Sequence, residues 1–141
     1  LVILALGTND TFAEAGRKPQ NTVNAMRSLI TATRDLPTAP GSSVPNTSPP
    51  KVMIVSPPNC LPLPSVTGEG FPELDDLIRW LPKLAKLYEE LAIEQDTYFA
   101  DAAKFCEPDP VDGLHLDVEN TRKLGIGIAE TIALEGFADF C

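Results

Sequence analysis

The chain has 141 residues, 43% of them hydrophobic and 22% charged. A domain of this length buries about 70% of the surface of its extended chain, so wholesale disorder is excluded. Its net charge of −9 argues against nucleic acid as a partner, because phosphates would be repelled rather than neutralised.

The chain opens on Leu1–Leu6, a continuous apolar run that fits a strand buried on both faces. It ends in Gly7-Thr8-Asn9-Asp10, and residues 11–20 read as polar loop. From about Asn21 to Arg34 the apolar positions Val23, Met26, Leu29 and Ile30 follow a helical stripe, bracketed by Pro19 and Pro37. Residues 37–50 are rich in Pro, Ser and Thr and read as a surface insertion within one domain, 1–141.

Lys51–Val55 is the second expected strand, stopped by Ser56-Pro57-Pro58 because proline cannot donate to a ladder. After irregular residues 59–71, a second stripe runs through Leu74, Leu77, Ile78, Leu81, Leu84, Ala85, Tyr88, Leu91 and Ala92. Pro82 interrupts it. An interior proline costs about 3 kcal/mol, so the expectation is a short helix over 72–80 and a longer one starting near Pro82. Thr97–Asp101 is the third strand, and 102–117 is loop. The last helix spans about 119–134, with Asp117 as N-cap and Leu124, Ile128, Ala129 and Ile132 as its buried face.

Strands alternating with helices predict an α/β fold, a parallel sheet covered by helices. Chemistry in such sheets collects at the carboxyl ends of the strands. Asn9, Ser56 and the loop holding Asp112 and His115 all follow a strand, so all could meet at one edge. His115 is the only histidine. Asp112, three residues earlier in Asp112-Gly113-Leu114-His115, can fold back to hold one ring nitrogen's proton and leave the other as a base. Asn9, just past the first strand, can aim its amide at a developing oxyanion.

In this order, with β-α-β-α-β between them, the two motifs resemble those of the SGNH (GDSL-type) hydrolases. Gly7-Thr8-Asn9-Asp10 looks like the family's third block, and Asp112–Leu116 looks like its fifth. Lys51–Pro58 and Val111–His115 look most like the arylesterase, or perhydrolase-like acyltransferase, branch. The resemblance implies a three-layer flavodoxin-like sheet and serine-dependent acyl transfer on a small-molecule ester. It makes His115 the general base, Asp112 its orienting partner and Asn9 an oxyanion-hole donor. No metal or organic cofactor is implied. The loose cluster Asp109, Asp112, His115 and Asp117 matches no calcium or zinc loop.

One part of the pattern is missing. The six serines are Ser28, Ser42, Ser43, Ser48, Ser56 and Ser65, and none stands in a Gly-Asp-Ser context. Removing a triad's hydroxyl costs on the order of 10⁶ in turnover. The expectation is an N-terminally truncated family domain of three strands, inactive in isolation. Its exposed Leu1–Leu6 edge would pair with a missing segment or a second copy. The alternative is a non-catalytic α/β interaction or structural module. Cys60, Cys106 and Cys141 have no C-x-x-C spacing and read as free thiols of a reducing, cytoplasmic compartment. No apolar run reaches the ~18 residues of a membrane span.

Overall fold

A computed structural model of the chain describes residues 1–11, 18–35, 49–62 and 72–136, with side chains in the last segment from residue 75 onward. The insertion expected over 37–50 lies almost entirely outside these residues, and the side chain of Leu74 of the second stripe lies outside them too. The element order is β1 (Val2–Ala5), α1 (Thr8–Thr11), α2 (Pro19–Asp35), β2 (Val52–Ser56), α3 (Pro72–Glu94), β3 (Tyr98–Asp101) and α4 (Val118–Leu134), with a 3-10 turn at Ala102–Lys104.

The three strands form one parallel sheet in the order β1-β2-β3. Leu4 pairs with Ile54, and Ile54 with Phe99. Alternation of side chains along β2 splits the core in two. Val52 and Ile54 point into a cluster with Val23, Met26 and Ile30 of α2 and Leu77, Leu84 and Tyr88 of α3. Met53 and Val55 point the other way, toward Ala100, Cys106 and, on α4, Leu124, Ile128 and Ile132. Helices therefore cover both faces, in three layers, as the sequence implies. β2 is buried at every position, which is why it reads as an unbroken apolar run.

Three expectations are corrected. First, α3 is one helix with Pro82 inside it. Pro82 lies on the exposed side, where the carbonyl left without a donor can turn to water. Leu77, Leu81, Leu84 and Leu91 are buried on the opposite side. At roughly 1.5–3 kcal/mol for each buried leucine, that face outweighs the cost of one proline. Second, Leu29 is 40% exposed, because α2 meets α3 and the sheet along a stripe narrower than its apolar residues allow. Third, Ala129 is exposed and Gly127 is buried in its place. A Cβ on Gly127 would lie 2.2 Å from Cγ of Phe105, so the Phe105 ring occupies the space a side chain would take.

Polar contacts tie the layers together. Arg27 of α2 grips Glu94 of α3 through both guanidinium and carboxylate branches, at 3.3 and 2.6 Å. Arg34 donates to the carbonyls of Gln95 and Asp96 just past the end of α3. There Asp96 turns the chain with φ of 48°.

β1 is an edge strand with no neighbour on its outer side among the described residues. Leu4 packs beneath the sheet, but Leu1 and Ile3 are 48% and 42% exposed. The face of β1 above the sheet is uncovered because α4 packs over β2 and β3 only. The expected apolar edge is thus present, and the reading of Leu1–Leu6 as a strand buried on both faces is corrected, since β1 is covered on one face only.

Candidate active site

The carboxyl ends of the strands carry the candidate residues. β1 stops at a bend where Gly7 has φ of +128°, a conformation open to glycine and strained for other residues. The bend sends the chain into α1, a single turn that holds Asn9 at the surface.

The Asp112–His115 turn is built by short-range hydrogen bonds. Oδ1 of Asp112 accepts from the backbone N–H of Leu114 at 2.8 Å and of His115 at 2.9 Å. Oδ2 of Asp112 lies 2.7 Å from Nδ1 of His115. Gly113, with φ of +67°, makes the reversal. Its N–H donates to the carbonyl of Asp109, and the N–H of Asp109 donates to the carbonyl of His115, both at 2.7 Å. The N–H of Leu61 donates to the carbonyl of Gly113 at 2.9 Å, binding the loop after β2 to the same turn.

These donors explain the state of Asp112. The N–H of Leu114, then the His115 ring and the N–H of His115, hold its carboxyl down from 3.8 to about 2. It is therefore an anion throughout the neutral range and can only accept. Nδ1 must then carry a proton, and in the neutral ring Nε2 is the nitrogen left with a lone pair to act as a base.

The turn and the β1 bend share one cleft of about 480 Å³. Asn9 and His115 both line it, with Leu6, Pro58, Leu114 and Leu116 as its apolar wall. The structure thus brings together His115, its partner Asp112 and Asn9, the three residues expected from the two motifs. The cleft is open: the His115 side chain is 79% exposed and that of Asp112 46%.

Ser56 is at the end of β2, but it does not face a substrate. It is buried, and its hydroxyl donates to Oδ1 of Asp101 at 3.0 Å. The same oxygen accepts from the N–H of Ala103 and caps the 3-10 turn. Cys60 and Cys106 are buried free thiols. Burial, and then the charge of Asp112, pushes Cys60 up to about 11, so it is a neutral packing group rather than a nucleophile. Among the described residues no group of acidic, cysteine and histidine side chains could hold a metal ion. No described helix is long and apolar enough to cross a membrane.

Sequence reasoning missed two contributors. Tyr88 reads as one more apolar member of the α3 stripe, yet its hydroxyl donates to the carbonyl of Leu6 at 3.2 Å. The Leu61–Gly113 bond joins backbone atoms, which carry no residue-specific signal.

No protein-family model matches the chain, and no curated protein does. Solved structures do. The aryl esterase of M. smegmatis is similar at 33% identity and a TM-score of 0.75, over 94% of this chain and 59% of that one. A carbohydrate acetylesterase family member from Sinorhizobium meliloti is similar at 26% identity and a TM-score of 0.78, over the same shares. Est24, a carbohydrate acetylesterase from the same organism, is similar at 31% identity and a TM-score of 0.73, over 94% and 60%. The chain spans about 59% of the length of the first structures it matches. In its parallel sheet and in the two motifs meeting at one cleft, the chain is similar, over about 59% of their length, to aryl esterases and carbohydrate acetylesterases, which are SGNH (GDSL-type) hydrolases.

Proposed function

We propose that this chain contributes the base and an oxyanion donor to a carboxylic-ester hydrolase or acyltransferase working through an acyl-enzyme. One observation carries the reading: His115, bonded to Asp112, and Asn9 line a single cleft. In the proposed cycle a serine hydroxyl attacks the ester carbonyl while Nε2 of His115 takes its proton. The Asn9 amide donates to the carbonyl oxygen as negative charge develops there. His115 then protonates the departing alcohol. Water, or another acceptor alcohol, attacks the acyl-enzyme by the same route in reverse. Asp112 stays ionised and holds the imidazolium in place.

The serine is the part this sequence does not carry in a recognisable form. Ser56, the serine at the right edge, is bonded to Asp101. We place the nucleophile on a segment that completes the sheet at β1, either preceding chain or a second polypeptide. The openness of the cleft supports the same view. An oxyanion site is strongest where water is excluded, and a segment beside β1 would cover the Leu6 and Asn9 side. Short aryl and acetyl esters are the proposed substrates. The names of the similar structures support that class, and the apolar wall of Leu6, Leu114 and Leu116 suits a small acyl group.

The isolated chain is expected not to turn over p-nitrophenyl acetate. Turnover that His115→Ala abolishes would refute this inactivity. A Gly-Asp-Ser motif encoded upstream of Gly7, as the family's block order implies, would supply the nucleophile. The extended protein should then hydrolyse the ester, and His115→Ala should lower its kcat on the order of 10⁶-fold. Unchanged turnover in that variant would end the proposal. A non-catalytic interaction module is the second reading. It is favoured by the lack of any Gly-Asp-Ser serine in the 141 residues.

A further inference from the structure

Tyr88 differs from the rest of the α3 stripe. Its neighbours along the buried side are leucines and alanines, and any apolar residue of similar size would fill the space. It is 1% exposed, and burying a hydroxyl costs free energy unless the group is bonded. Its hydroxyl reaches the carbonyl of Leu6 at 3.2 Å, the last residue before the bend. The next residue is built around the same atom. A Cβ on Gly7 would lie 2.9 Å from the Tyr88 oxygen and 2.9 Å from Cδ2 of Leu84. The bend therefore rests directly on α3, with one hydrogen bond fixing its height and a missing side chain allowing the approach.

We infer that Tyr88 is a positioning residue for Asn9, holding the Leu6–Gly7 bend so that α1 presents the Asn9 amide to the cleft. The inference rests on the proposed role of Asn9 as an oxyanion donor. The chemistry is consistent. Burial, and then the negative charge of Asp10, push the Tyr88 hydroxyl well above its ordinary value. It stays protonated, and so remains a donor, at any working pH. α1 itself packs against α3. Leu6, Gly7 and Asn9 all line the cleft, so a shift at the bend is a shift of the cleft wall. A side-chain-to-backbone hydrogen bond of this kind adds only a small net stabilisation. That is too little to decide whether the chain folds. It is enough to change the population of one bend severalfold.

The test is Tyr88→Phe in the full 141-residue chain, which keeps the ring and removes the hydroxyl. Two-dimensional NMR would follow the Asn9 side-chain amide, the Gly7–Thr11 backbone amides and the Leu114 and His115 amides. The expected result is shifted and exchange-broadened Asn9 and Gly7–Thr11 signals, with the Leu114 and His115 signals unmoved. Leu84→Ala relieves the packing under Gly7 but keeps the hydroxyl, and should leave the Asn9 side-chain signal in place. Unchanged Asn9 signals in Tyr88→Phe would overturn the inference. So would equal displacement by both variants, changes spread evenly through the core, or failure of Tyr88→Phe to fold, each of which marks a role in the fold as a whole rather than at the bend. None of these readouts needs ester turnover, so failure of the esterase reading and failure of this inference are separable.

Discussion

Two glycines in α4, two residues apart, allow the role of Phe105 to be measured. A Cβ on Gly125 would meet nothing within 4 Å. A Cβ on Gly127 would meet three Phe105 ring carbons at 2.2, 2.5 and 2.6 Å. Comfortable carbon–carbon contacts lie at about 3.5–4.0 Å, so the ring would have to retreat by more than about 1 Å. Gly→Ala in a helix interior gains about 1 kcal/mol of propensity at either site. Gly125→Ala should keep that gain and be about 1 kcal/mol more stable than the parent. Gly127→Ala should lose about 1–3 kcal/mol to overpacking, leaving it between neutral and about 2 kcal/mol less stable. Propensity cancels in the comparison, so the gap of about 1–3 kcal/mol between the variants reports the Phe105 contact alone. Urea unfolding midpoints, with slopes checked for constancy, measure it. Phe105→Ala should abolish the gap, because residues in contact do not act additively. Equal midpoint shifts for the two alanine variants would refute the reasoning. The contact bears on the site, since Phe105 anchors the start of the loop that ends in Asp112 and His115.

Asp112 gives a pH prediction. Its carboxyl is held at about 2 in the folded chain, against an ordinary 3.8. The contribution of this ionised group is therefore complete above the ordinary value and is lost as pH falls through about 2. Carboxyl-carbon NMR should show Asp112 titrating near 2, and a midpoint near 3.8 would mean that the Leu114 and His115 donors do not hold it. Asp112→Asn should leave the fold intact yet free the His115 ring, read as a changed imidazole tautomer by nitrogen NMR. An unchanged tautomer would count against the orienting role. Ser56→Ala removes one buried hydrogen bond to Asp101 and should cost about 1 kcal/mol in thermal unfolding. It should not alter ester turnover in any completed form of the enzyme. Loss of turnover in that variant would make Ser56 a reacting group and contradict its partnership with Asp101.

Much of this protein is legible in its sequence because the relevant forces are local. The three strands and the α2, α3 and α4 helices follow from apolar spacing, and Asp117 caps α4 as its position predicts, accepting from the N–H of Asn120. The Asp112–His115 pair is local too. A four-residue turn with glycine inside it needs no distant neighbour to bring a carboxylate onto an imidazole. Tertiary structure decided the rest. Pro82 stays inside a helix because leucines on the opposite face are buried by α2 and the sheet. Leu29 and Ala129 are exposed and Gly127 is buried because of where α3 and Phe105 lie, which no spacing rule within one helix reports. Most consequentially, Asn9 and His115 share a cleft only because β1 and β3 flank β2 in one parallel sheet and release their loops at the same edge. The sequence names the two motifs. Parallel packing of the strands puts Asn9 and His115 on the wall of one cleft.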